Sequence, residues 1–110
     1  MPLLFSYGTL RDPDVQRSNF GRLLDGRDDR IPGYRLEWVE ITDPHVLAVS
    51  GRSQHPIVIA TGVESDAVDG MVFTITDAEL AAADDYEVDD YQRVEAPLTS
   101  GEKAWVYVAR

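Results

Sequence analysis

Apolar residues in this chain come in short runs separated by turn-forming residues, and little of the sequence carries helical spacing. Leu3 to Phe5 reads as a buried strand leading into a polar turn, Ser6-Tyr7-Gly8-Thr9-Leu10. Arg11-Asp12-Pro13-Asp14 marks a turn and the first turn of a helix carrying Val15 and Phe20, which Gly21 stops. Ile31 to Ile41 alternates, with Pro32-Gly33 near its start. Val46 to Val49, Ile57 to Ala60 and Met71 to Ile75 read as further strands, with Asp69-Gly70 as a hairpin turn. Thr76 followed by Glu79 forms a capping box, and the Leu80-Ala81-Ala82-Ala83 run behind it predicts a short helix from Asp77. Tyr91 to Leu98 and Ala104 to Ala109 flank Ser100-Gly101 as a closing hairpin.

Many short strands with one or two short helices predict an α+β fold, a small, mainly antiparallel β-barrel or curled sheet. The 110 residues give one domain, 1–110, with room for a single core. A net charge of −10 argues against nucleic acid and anionic membrane surfaces. The absence of a basic leader and of any long apolar run predicts no signal peptide or membrane span, and a cytoplasmic location follows by default. With no cysteine, disulfides and thiolate chemistry drop out. His45 and His55 lack metal-ligating spacing and read as surface residues, so no metal site is expected.

Two segments carry candidate chemistry. After the first strand, Gly8 is expected to let the backbone turn, freeing the following amides to face a carboxylate or a polarised carbonyl. Ordinary loop structure is the competing reading of that turn. At about 100° per residue, Glu87 falls about 20° from Leu80 around the helix axis, so a helix reaching that far aims its carboxylate along the apolar stripe of Leu80 and Ala83. Burial and like charge from Asp84, Asp85, Asp89 and Asp90 would both raise its pKa toward the range of a general acid/base. A helix ending at Asp84 or Asp85 would instead leave Glu87 in a solvated acidic loop.

The order and spacing of several pieces resemble the gamma-glutamylcyclotransferase-like family, which includes the gamma-glutamylamine cyclotransferases and the plant avirulence-induced-gene proteins. The matching pieces are Phe5-Ser6-Tyr7-Gly8-Thr9-Leu10-Arg11, Gly21-Arg22, Pro32-Gly33-Tyr34-Arg35-Leu36, Val68-Asp69-Gly70-Met71-Val72-Phe73, Asp84-Asp85-Tyr86-Glu87, Tyr91-Gln92-Arg93 and Ala104-Trp105-Val106-Tyr107-Val108. The resemblance implies that Tyr7, Gly8, Thr9 and Leu10 cradle a γ-glutamyl group, that Glu87 is the catalytic residue, that Tyr91 lines the pocket, and that the pocket opens at one end of the barrel. Two departures stand out, Ala83 where the family has leucine and Val88 where it has glycine.

The implied reaction is intramolecular aminolysis of a small-molecule γ-glutamyl amine, peptide or amino acid to 5-oxoproline and a free amine, without cofactor. A binding module for a γ-glutamyl or carboxylate metabolite is the alternative, and a buried acid beside an anionic ligand favours catalysis over it. A third reading makes Asp84 to Asp90 an exposed acidic surface for a basic partner. Arg93 and Arg11 can each pair with a substrate carboxylate or sit in an internal ion pair, the latter favoured in so acidic a chain. Ser6 and Thr9 lack a nucleophile elbow. The leaving amine is expected to meet loops around Asp25 to Arg30 and Ser50 to Pro56; its identity and the oligomeric state are not encoded in any motif.

Overall fold

In the computed structural model, which describes residues 1–40, 54–87 and 91–110, the first apolar run becomes the central strand of a five-stranded sheet. This strand, β1 (Leu3–Ser6), is buried on both faces, which is why it reads as a continuous apolar run rather than an alternation. Numbering the strands in chain order, β2 is Asp25–Pro32, β3 Tyr34–Glu40, β4 Gln54–Ala60, β5 Ala67–Thr74, β6 Tyr91–Pro97 and β7 Lys103–Ala109. The sheet runs β2-β5-β1-β7-β6, with β1 and β7 parallel and the other neighbours antiparallel. β3 and β4 form a separate antiparallel ribbon that packs on the sheet. The fold is α+β and mostly antiparallel, as the sequence predicts.

The sheet curls until its two edges meet. The Thr99 amide, in the turn joining β6 to β7, donates to the Arg30 carbonyl of β2 (2.9 Å), and the Ser100 hydroxyl donates to the Asp29 carboxylate (2.5 Å). Leu4, Phe5, Ile31, Val58, Val72, Ile75 and Val106 fill the interior at 2 % exposure or less. Each such side chain contributes about 1.5–3 kcal/mol by leaving water.

Helix α1 (Pro13–Phe20) starts where expected, with the Asp12 side chain accepting from the Asp14 amide and proline in the first turn. It stops at Gly21, whose φ of 73° suits the left-handed cap. In α2 (Asp77–Tyr86) both halves of the capping box form: Thr76 Oγ1 accepts from the Glu79 amide (3.0 Å) and Glu79 accepts from the Thr76 amide (2.9 Å).

Three expectations are corrected. Asp69-Gly70 is not a hairpin turn but lies inside β5, where Gly70 runs so close beside β1 that a Cβ would overlap the Ser6 carbonyl and the Phe5 ring. The alternating segment after Ile31 is two strands: Gly33, at φ 83°, turns the chain out of the sheet and into the ribbon. Asp25 to Arg30 is not a loop but most of β2, an edge strand paired with β5 along its length and carrying ion pairs from Arg27 to Glu102 and from Arg30 to Asp69. Charge on an edge strand discourages pairing with other chains, and it also removes the alternation by which strands are read. The strand expected at Val46 to Val49 lies outside the described residues. Among the described residues, no helix is long and apolar enough to cross a membrane.

Candidate functional site

The loop after β1 tightens into a single 3-10 turn, Thr9–Arg11, closed by bonds from the Arg11 amide to the Gly8 carbonyl (3.2 Å) and from the Asp12 amide to the Thr9 carbonyl (2.9 Å). The Gly8 amide is taken by Ser6 Oγ (3.3 Å), so the donors this turn leaves over are the amides of Thr9 and Leu10. The Leu10 side chain turns inward and is buried in the core. Gly8 has φ −126°, outside the left-handed region, and a Cβ there would make only ordinary contact with Pro56 Cγ at 3.5 Å. The expected reason for glycine at this turn is therefore corrected: Gly8 needs no special backbone conformation, and the turn comes from the 3-10 geometry that follows. Arg11 reinforces it, its guanidinium donating to the carbonyls of Tyr7 (2.8 Å) and Gly8 (3.2 Å).

Helix α2 ends at Tyr86, one residue short of Glu87. Glu87 is the cap, extended at φ −75° and ψ 145°, with its amide still donating to Ala83 (3.1 Å). Helical phase therefore does not aim the side chain, yet the residue is half-buried rather than solvated. Burial lifts its pKa from 4.5 to about 7. Of the like charges expected to help, Asp84 and Asp85 are not among the causes of that shift. Asp84 is neutralised by its own partners, accepting from Arg93 Nε (2.8 Å) and from the Tyr107 hydroxyl (2.8 Å), and Asp85 is exposed. Asp89, Asp90 and the Val88 departure lie outside the described residues.

The two sequence segments meet at one end of the sheet. Thr9 Oγ1 and the Tyr86 hydroxyl share a hydrogen bond of 2.6 Å, which fastens the end of α2 to the first loop. Burial, with the Glu87 charge adding to it, holds the Tyr7 phenol above its ordinary pKa. Tyr107 is raised mainly by burial and by its bond to Asp84, and again Glu87 contributes. Both rings thus feel the same carboxylate. The Tyr7 hydroxyl donates to the Tyr107 carbonyl (2.5 Å) and accepts from the Val58 amide, so it spans β7 and β4.

Tyr91 is buried, and its hydroxyl donates to the Pro56 carbonyl, which places it behind the wall formed by β4. Arg93, paired with Asp84, also lies over the Trp105 ring at 4.5 Å, the internal ion pair that the acidic composition favours. His45 lies outside the described residues, while the backbone of His55 belongs to β4. The sequence offers Asp84 only as a like charge or as part of an acidic surface, and Tyr86 and Tyr107 only as parts of matching pieces; none is expected to make the bonds seen here. Their partners lie 9 to 77 positions away, so no local spacing could reveal them.

Beside the loop is a groove of about 340 Å³, lined by Tyr7, Gly8, Thr9, Arg11 and Asp12 of the loop and by Leu36, Trp38 and Pro56 of the ribbon. This is the size of a small-ligand site. Glu87 is not among its walls; Tyr7 belongs to the groove and also lies within reach of the Glu87 charge. Of the segments expected to meet a leaving group, Pro56 lines the groove, Asp25 to Arg30 does not, and residues 50–53 lie outside the described residues.

No curated protein matches the chain. Among solved structures, an Arabidopsis thaliana protein known from its solution structure is 26% identical, with a TM-score of 0.75 over 98% of this chain. The chain spans 61% of that protein's length. A protein specific to uropathogenic E. coli is 23% identical with a TM-score of 0.69, covering 99% of this chain and 79% of its own. A structure described as a gamma-glutamyl cyclotransferase is 14% identical with a TM-score of 0.71, covering 99% of this chain and 66% of its own. At 23% and 14% these two likenesses speak for the fold alone. The sequence itself matches the family model described as gamma-glutamyl cyclotransferase, AIG2-like, over residues 4–110, so the chain belongs to that family.

Proposed function

We propose that this chain is a cofactor-independent cyclotransferase that converts a γ-glutamyl amine, peptide or amino acid to 5-oxoproline and the free amine. The observation that carries this reading is the half-buried Glu87, with a pKa near 7, at the same end of the sheet as a turn with two spare amides. A carboxyl poised near neutrality is suited both to take a proton and to return one. In this reading Glu87 removes a proton from the substrate α-ammonium. The freed amine attacks the γ-carbonyl carbon, a C–N bond closes the five-membered lactam, and the oxyanion that forms is met by the amides of Thr9 and Leu10. The bond to the departing nitrogen then breaks as Glu87 delivers that proton to it; Glu87 next takes the second proton from the new lactam nitrogen and passes it to the released amine, which returns the carboxylate to its starting state. Tyr7 and Gly8 shape the cradle, and Tyr91 acts from behind by holding Pro56. Folding the substrate into its cyclising conformer supplies a further several kcal/mol.

The test is an assay for 5-oxoproline across a panel of γ-glutamyl amino acids and amines, repeated with Glu87→Gln. The variant should fold and lose at least ~100-fold in turnover. With Glu87 acting first as a base, kcat/KM of the parent should climb as pH rises through about 7. Equal turnover by the glutamine variant refutes the assignment. Tight binding of the panel without turnover would favour the binding-module alternative.

A further inference from the structure

Trp38 and Leu36 stand out on the surface, at 57% and 42% exposure. They are two residues apart on β3 and so lie on one face of the ribbon. In the antiparallel register Trp38 is opposite Pro56, and all three wall the groove beside the first loop. The other large exposed apolar side chains behave differently. Met1, Leu23 and Val63 are scattered along the chain, which is ordinary, and the Tyr86 hydroxyl is already bonded to Thr9. An indole left more than half open to water beside a leucine and a proline is apolar surface awaiting a cover. The ribbon is also firmly placed: the Tyr91 hydroxyl holds the Pro56 carbonyl, and the Val58 amide donates to Tyr7.

We infer that the Leu36–Trp38–Pro56 face is the subsite for the departing half of the substrate, and that it selects γ-glutamyl compounds whose amine component is large and apolar, above all aromatic. This rests on the cyclotransferase reading, because it takes the γ-glutamyl half to occupy the Tyr7–Leu10 turn. Tyr7, Gly8 and Thr9 of that turn line the same groove as the apolar face, with Gly8 against Pro56, so a molecule held by its glutamyl end at the turn can extend its amine substituent along the ribbon. A ring lying on Trp38 gains from offset stacking as well as from burial, whereas a small or anionic substituent gains neither.

The test compares γ-glutamyl-phenylalanine, γ-glutamyl-leucine, γ-glutamyl-glycine and γ-glutamyl-glutamate on the parent, Trp38→Ala and Trp38→Phe, with melting curves to verify folding. The phenylalanine compound should exceed the glycine compound in kcat/KM by ~10-fold or more. Trp38→Ala should collapse that ratio through KM, and Trp38→Phe should restore most of it. If 5-oxoproline forms from all four compounds equally, or if Trp38→Ala lowers them all in proportion, the subsite is overturned while the cyclotransferase reading stands. Calorimetric titration of γ-glutamyl-phenylalanine into Glu87→Gln, with and without Trp38→Ala, separates the remaining cases. Trp38-dependent binding without turnover keeps the subsite and removes the reaction; no Trp38-dependent binding removes the subsite.

Discussion

The two ends of α2 each carry a glutamate, and their surroundings drive the two carboxyls in opposite directions. At the start of the helix, Glu79 accepts two bonds from the Arg22 guanidinium, both 2.8 Å, and another from the Thr76 amide. Chiefly through Arg22, its pKa falls from 4.5 to about 2. At the far end Glu87 is lifted from the same starting value to about 7 by loss of water. A carboxylate supplied with donors is fixed in charge and serves as a fastening. One deprived of water sits at the balance between two protonation states, which is the condition for moving protons.

The widest separation between the two should appear in turnover. Glu87→Gln is expected to cost at least ~100-fold in 5-oxoproline formation. Glu79→Gln should stay within a few-fold of the parent; a comparable loss there would erase the distinction. Stability against pH comes next. A native pKa above the unfolded one means that the folded state binds the extra proton, so the Glu87 contribution is full below pH 4.5 and is lost as pH rises through about 7. The loss amounts to about 3 kcal/mol, and Glu87→Gln should remove that slope from denaturant midpoints measured across the range. Glu79 works in the other direction: its contribution is present above pH 4.5 and disappears as pH falls through about 2.

A smaller effect is expected from Glu79→Gln on stability at neutral pH, about 1–2 kcal/mol, since the charge-assisted pair goes and half of the capping box is weakened. Urea unfolding measures it directly. Smallest is Tyr86→Phe, which removes the bond to Thr9 for about 0.5–1 kcal/mol. Its use is diagnostic, because a rise in KM exceeding the stability loss would show that the helix end orients the first loop.

How much of this could be read beforehand depends on whether the signal was local. The capping box at Thr76 and Glu79, the helix start at Arg11-Asp12-Pro13-Asp14 and the hairpin around Ser100-Gly101 depend on neighbours a few residues away, and all three form. Strand β2 was missed because its partners are remote and its charges hide the alternation. Helical phase, burial and like charge all point to Glu87 in the sequence; the helix stops before it, burial does shift it, and Asp84 and Asp85 do not contribute. The family resemblance pointed to the residue, and only the folded arrangement shows what lifts its pKa. Tyr107 and Tyr86 came to light only once distant segments were in contact.

Gly70 lies beside β1, the strand that delivers the first loop, on its sheet neighbour β5. Any side chain at that point would act as a shim, levering β1 outward and carrying Tyr7 away from its partners on β4 and β7. The alignment of the turn is thus set from the adjoining strand, by a residue that does not itself line the groove.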